Sequence, residues 1–212
     1  MRFTDLVDRL ASVPSTLPAP AAGLMPVFTG TVEARPPAYP RDPADVRQAA
    51  VLVLIYPDSG GDARVVLTER VTGDGHHSGE VSFPGGRAEP GDTDLSATAL
   101  REAAEEVALD PEAAGVRVIG ELERFWISVS NYEVTPVLAL AKRRPVLVPS
   151  PDEVVRIVEP LVAAFMPDAP FEMVERTIRG WPLRYGAYQV DGLSVWGATA
   201  RILSQLGTVL AR

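Results

Sequence analysis

Gly85-Gly86-Arg87-Ala88-Glu89-Pro90-Gly91-Asp92, followed after eight residues by Arg101-Glu102-Ala103-Ala104-Glu105-Glu106, decides how the whole chain is read. A glycine-rich loop feeds a helix that carries three carboxylates. Each helical residue advances by roughly 100°, so Glu102, Glu105 and Glu106 fall within about a third of the circumference. Leu100, Ala103, Ala104 and Val107 gather on the other side. One side is therefore expected to pack and the other to be acidic. Like charges at i,i+3 and i,i+4 repel, and on that face only Arg101, one turn from Glu105, answers them. A divalent cation resolves the repulsion. Hard oxygen ligands without His or Cys suit Mg²⁺ or Mn²⁺, and Mg²⁺ commonly takes one or two carboxylates together with substrate phosphates. That pairing suggests phosphate chemistry; the plainer alternative is a solvated acidic helix.

The run resembles the Nudix box, in which a glycine is followed by an acidic residue and then by Arg-Glu, an apolar residue, any residue and Glu-Glu. Gly86, Asp92, Arg101, Glu102, Ala103, Glu105, Glu106 and Leu109 fill those roles. The gap between acid and arginine is one residue longer than in the general pattern, which points to a subfamily. Leu67-Thr68-x-Arg70, His77-Ser78-Gly79-Glu80-Val81-Ser82-Phe83-Pro84-Gly85-Gly86 and Thr98-Ala99-Leu100-Arg101-Glu102 together are similar to the coenzyme A pyrophosphatase branch of the Nudix hydrolases. The likeness runs from about Ala49 to Leu206.

Composition sets the bounds within which that resemblance has to work. The chain has 212 residues, 46% hydrophobic and 23% charged, the balance of an ordinary soluble globular protein with one core. With 28 acids against 20 bases its net charge is −8, which gives no basic footprint for nucleic acid. Any phosphate site must be local and metal-assisted. The absence of cysteine excludes disulfides, zinc thiolates and thiol nucleophiles. No apolar run approaches a membrane span and the N-terminus has no signal-type h-region, so a cytoplasmic protein is expected, with homodimerisation left open.

Phe3, Leu6, Val7 and Leu10 predict an amphipathic helix over residues 4–12, with Thr4 as its cap. The proline-rich stretch to Asp45 reads as an ordered wrapping arm, so residues 1–45 are separated from a domain over 46–212. Ala49 to Tyr56 is an apolar run of strand length, and Arg64 to Thr68 returns as its hairpin partner. Glu80 to Phe83 predicts a short strand. Val116 to Trp126 and Tyr132 to Ala141 read as two long strands, the second an edge strand or a bulged one because of Pro136. Glu153 to Leu161 reads as a strand leading to a helix that begins at Pro160. Tyr185 to Val190 offers another strand, and Val195-Trp196-Gly197-Ala198-Thr199-Ala200 opens a final helix to Leu210, with Trp196 as filler and Gly197 for close approach.

The resemblance implies an α/β fold, the Nudix α/β/α sandwich with a mixed sheet. It implies metal-dependent hydrolysis of the diphosphate of coenzyme A or acyl-coenzyme A to phosphopantetheine and adenosine 3′,5′-bisphosphate. By family role Glu102, Glu105 and Glu106 hold the Mg²⁺ or Mn²⁺. Glu105 is a third ligand or orients the water, and Arg101 fixes the glutamate face. His77, Arg70, Gly85 and Gly86 contact the substrate, the glycines because a side chain would block the backbone's approach to metal and phosphates. Glu121, Glu123 and Glu133 are candidates for the general base. Two departures stand out. Thr72-Gly73-Asp74-Gly75 replaces a Leu-Arg pair associated with the phosphorylated end of coenzyme A, which predicts weaker discrimination against dephospho-coenzyme A unless Arg64, Arg70, Arg87 or Arg124 substitutes. Ala108 stands where the box has glycine, which predicts a small change at the helix C-terminus. The alternatives are a Nudix enzyme for another nucleoside diphosphate compound, such as a dinucleotide or nucleotide sugar, and a Nudix-fold binding protein without catalysis.

Overall fold

The apolar run around Ala49 to Tyr56 forms β2 (Arg47–Pro57), and it is covered on both faces. The structure, a computed structural model, describes residues 1–11, 17–30, 45–71, 80–127, 130–178 and 180–212. Ala50, Leu52, Leu54 and Tyr56 pack with Ala99, Ala103 and Val107 of α2 (Leu95–Val107). Val53 and Ile55 face a second cluster with Leu6 and Leu10 of α1 (Phe3–Leu10) and Ile202, Leu203 and Leu206 of α4 (Gly197–Leu210). Successive apolar residues along a strand are what a sheet buried on both faces requires. The result is the expected α/β architecture with helices on either side of a mixed sheet.

That sheet has six strands in the order β3 (Ala63–Val65), β2, β9 (Tyr132–Ala141), β7 (Val116–Glu121), with β6 (Gly85–Arg87) also on β2 and β8 (Phe125–Ile127) also on β9. β2 and β9 are parallel, from Arg47 opposite Tyr132 to Ile55 opposite Leu140; the other pairs are antiparallel. A three-stranded sheet joins β10 (Val154–Val158), β4 (Leu67–Arg70) and β5 (Val81–Ser82). A third sheet orders β1 (Val27–Phe28), β12 (Trp181–Val190) and β11 (Glu172–Ile178), with β13 (Leu193–Val195) on β12. A short helix, α3 (Pro111–Ala114), follows α2 and is capped by the Asp110 side chain.

Several sequence expectations are corrected by pairing. β9 is not an edge strand, because β2 lies on one side of it and β7 and β8 on the other. Pro136 is accommodated by a break in the facing strand: its carbonyl accepts from the Leu122 amide, and there β7 ends and β8 has not begun. A strand's N–H and C=O point the same way, so the missing proline donor faces that break. The single return strand from Arg64 splits at Val66, where β3 leaves β2 and β4 crosses to β10. Pro160 introduces a 3₁₀ turn at Val162–Phe165 rather than an α-helix. α1 begins at Phe3 with Arg2 at the N-cap position, so Thr4 lies inside the helix and is not its cap, and the Phe3 amide donates to the Gly61 carbonyl.

The start of the chain is tied to α4. Leu24 is buried, the Ala21 amide donates to Ser204 Oγ at 2.9 Å, and Gln205 Nε2 donates to the Pro18 carbonyl at 3.1 Å. The other end of α4 is anchored by Thr199, whose hydroxyl donates to the Val81 carbonyl at 2.9 Å. Trp196 stacks on Tyr185 with centroids 4.6 Å apart. Gly197 is explained by its φ of +61°, not by close approach, since an added Cβ would meet nothing within 4 Å.

Candidate active site

Where β6 runs against β2, the backbone is too close to its neighbours for side chains. A Cβ on Gly85 would run into the Ala50 carbonyl, and one on Gly86 would run into the Glu102 carboxylate. The glycines therefore let the loop lie directly on the helix that carries the acids. α2 is capped by Asp94, whose side chain accepts from the Ala97 amide at 2.8 Å, and two small residues, Ala99 and Ala103, let it settle onto the sheet.

The three box glutamates do not share one solvated face. Glu106 is 1% exposed, Glu102 is largely buried, and Glu105 points outward, as does Ala104, which was expected to pack. Each acid has a cationic partner. Arg70 Nη1 reaches Glu106 Oε1 at 2.8 Å, and Glu106 Oε2 also accepts from the Gly85 amide at 3.3 Å. Arg70, expected at the substrate, pairs with the helix and keeps part of its side chain exposed. Burial pushes the Glu106 carboxyl above its ordinary range, against the pull of Arg70 and the Gly85 N–H. Burial likewise raises Glu102, opposed by Arg101.

Arg101 is the hub of the loop. Its Nε and Nη2 bind the two oxygens of Asp92 at 3.0 and 3.1 Å, its Nη1 reaches Glu102 at 3.0 Å and Glu105 at 3.1 Å, and Nη2 also donates to the Arg87 carbonyl at 3.0 Å. Arg101, the Glu89 amide and the Thr98 hydroxyl hold the Asp92 carboxyl well below the usual carboxylate range. A planar guanidinium with bonds to loop and helix is a positioning device. At the far end of α2, Ala108 adopts φ +53°, ψ +35°, the left-handed conformation a glycine would take, so the helix end keeps its shape and Ala108 bears the strain.

Of the expected base candidates, Glu121 pairs with Arg124, Glu123 with Arg201, and Glu133 accepts from Gln48. Glu153 does approach the box. It lies 3.9 Å from Arg70 and interacts electrostatically with both Glu102 and Glu106. Antiparallel pairing of β10 with β4 sets Val154 opposite Arg70, and the Ser150 amide donates to the Glu106 carbonyl at 2.8 Å, which brings the segment to the box. His77 and the Thr72–Gly75 segment lie outside the described residues.

The NUDIX domain profile matches residues 46–174. The chain is 40% identical over 162 residues to a Pectobacterium atrosepticum protein named "Uncharacterized Nudix hydrolase NudL", covering 76% of this chain and 81% of that one.

The chain belongs to the Nudix family.

It is also 36% identical over 169 residues to "Nudix hydrolase 15, mitochondrial" of Arabidopsis thaliana, covering 77% of this chain but 58% of the plant protein. Among solved structures, an Ap4A hydrolase of C. elegans aligns with a TM-score of 0.47 and 20% identity, over 56% of this chain and 82% of that one. Among the described residues no three His, Cys, Asp or Glu side chains converge as a metal-holding group. The Nudix donor set nevertheless suits a hard divalent cation. It is all oxygen, two of its carboxyls are destabilised by burial, and Glu102 presses against bare glycine backbone.

Proposed function

We propose that this Nudix protein hydrolyses the diphosphate linkage of coenzyme A or an acyl-coenzyme A, giving phosphopantetheine and adenosine 3′,5′-bisphosphate. The observation that carries the reading is the bond from Arg70 to Glu106. It joins the Leu67-Thr68-x-Arg70 segment of the coenzyme A-type signature to the Nudix box, which supports reading the two as parts of one site. Glu102 and Glu106 would hold Mg²⁺ or Mn²⁺, with Glu105 as a third ligand at the exposed end, and the cation would supply charge neutralisation of the diphosphate oxygens and a lowered pKa for the attacking water.

The chain's own residues do the rest. Arg70 and the Gly85 amide keep the Glu106 carboxylate aimed, and Arg101 fixes Glu102 against the loop. Glu153, half exposed beside them, takes the proton from water as its oxygen bonds to phosphorus. The bridging P–O bond then breaks, and the leaving phosphate carries off the electron pair. The Thr72–Gly75 segment, with no base in it, favours a second reading in which another nucleoside diphosphate compound is the substrate. A panel of coenzyme A, dinucleotides and nucleotide sugars, assayed with each metal and resolved by product mass, separates the two.

A further inference from the structure

The third sheet ends on β11. In the order β1, β12, β11, that last strand pairs only with β12 among the described residues, from Glu172 opposite Ala187 to Ile178 opposite Trp181, and no bulge interrupts the register. Glu172, Met173, Glu175, Arg176 and Thr177 are exposed, and Val174 and Ile178 are half-buried. An edge of this kind is a template for another strand, and β11 carries neither lysine nor proline to blunt it.

Pairing shows which backbone groups that edge offers. The Thr29 amide donates to the Pro182 carbonyl at 3.0 Å, so Pro182 turns toward β1 and away from β11. Directly opposite residues in an antiparallel pair exchange both bonds or neither, so Thr177, opposite Pro182, also turns its N–H and C=O away from β12. Alternation along the strand gives Glu175 and Met173 the same direction. Those three residues are the outward rungs of the edge.

A second copy of this chain fits those rungs in one register. Two copies of β11 lying antiparallel about a two-fold axis must set outward residues against outward residues, so the axis passes through a residue. Centres on Val174, Glu175 or Arg176 keep five or more residues of the strand paired. The second sets Glu175 against itself and the third sets Arg176 against itself, both destabilising. The first sets Val174 against itself and places Glu172 opposite Arg176 on either side of the axis. Both groups are available for that contact. Among the described residues the Arg176 guanidinium makes no hydrogen bond or ion pair, and Glu172 accepts from Gln189 Nε2 at 3.0 Å through Oε2, leaving its other oxygen for an arginine. We propose that two copies of this chain join through β11 about a two-fold axis at Val174, with Glu172 of each copy paired to Arg176 of the other. The sheet then runs unbroken from β1 of one copy to β1 of the next. Which diphosphate is cleaved does not bear on this contact.

The test is sedimentation of the full chain over a range of concentration, for the native protein, Arg176→Glu, and Glu172→Arg combined with Arg176→Glu. The native protein is expected to dimerise, Arg176→Glu to weaken the dimer about 10-fold or more, and the charge-swapped double variant to return to within about threefold of native. Cysteine reads the register. The chain has none, so in Val174→Cys the only disulfide possible joins two copies, at the closely spaced non-hydrogen-bonded pair on the axis. Val174→Cys should cross-link in mild oxidant, whereas Glu175→Cys, with its two Cα atoms more than about 7 Å apart in this register, should not. A native protein that stays monomeric throughout that range overturns the proposal. So does a dimer indifferent to Arg176→Glu or not rescued by the double variant, or a Val174→Cys protein that fails to cross-link.

Discussion

Arg70 on β4 and Glu106 on α2 meet at 2.8 Å with the glutamate 1% exposed, so the strand and the box helix are joined through an ion pair whose carboxylate is buried and whose arginine is part-exposed. Removing one partner of such a pair leaves the other charged and buried. Arg70→Ala is expected to cost about 3 kcal/mol in metal-free unfolding, and Arg70→Ala with Glu106→Gln is expected to recover most of it. Urea denaturation of the two singles and the double measures this. A cost below about 0.5 kcal/mol for Arg70→Ala would show that water reaches Glu106 freely.

The raised carboxyls of Glu102 and Glu106 give a signed pH dependence. With folded pKa values above the unfolded value of about 4.3, their contribution to stability is full below that pH and is lost as pH rises through the folded values. In chelator, Glu106→Gln should therefore gain on the native protein as pH rises from about 4 to about 7. Thermal melts across that range check it. A variant that falls behind as pH rises would mean that Arg70 outweighs burial.

How much of this was legible in the sequence follows from what sets each feature. The β2 run is a local pattern and was found within two residues of its ends, and the box helix was read from its periodicity, but the glycine stretch read as a loop is strand β6, whose pairing with β2 is not local. The central position of β9 was obscured by Pro136, because only the break between β7 and β8 on the partner side makes room for a proline there. Glu106 is buried because the loop and β4 close over it, which helical periodicity alone does not show. Glu153 carries no motif, and only the β4–β10 register brings it to the box.

Ala108 bears a conformation costing roughly 1–2 kcal/mol for a residue with a side chain, part of which glycine's greater freedom in the unfolded chain offsets. Ala108→Gly should thus stabilise the protein by about 0.5–1 kcal/mol, raising Tm by about 1–4 °C, with kcat unchanged. A lowered Tm would contradict the strain.

Glu153→Gln should lower kcat by about 10²-fold or more, with KM and the melting curve little changed, if its carboxylate accepts the proton from water. Stopped product assays over a range of substrate concentration give both constants. Activity within about threefold of native would assign the proton to another acid.

The most direct measurement is hydrolysis of coenzyme A by the native protein, with products separated by mass, in Mg²⁺ or Mn²⁺ and again in excess chelator. The expected result is phosphopantetheine and adenosine 3′,5′-bisphosphate in equal amounts with metal and neither in chelator, with Glu106→Gln slower by orders of magnitude. Undiminished cleavage in chelator, or an intact coenzyme A beside a readily cleaved dinucleotide or nucleotide sugar, would contradict it.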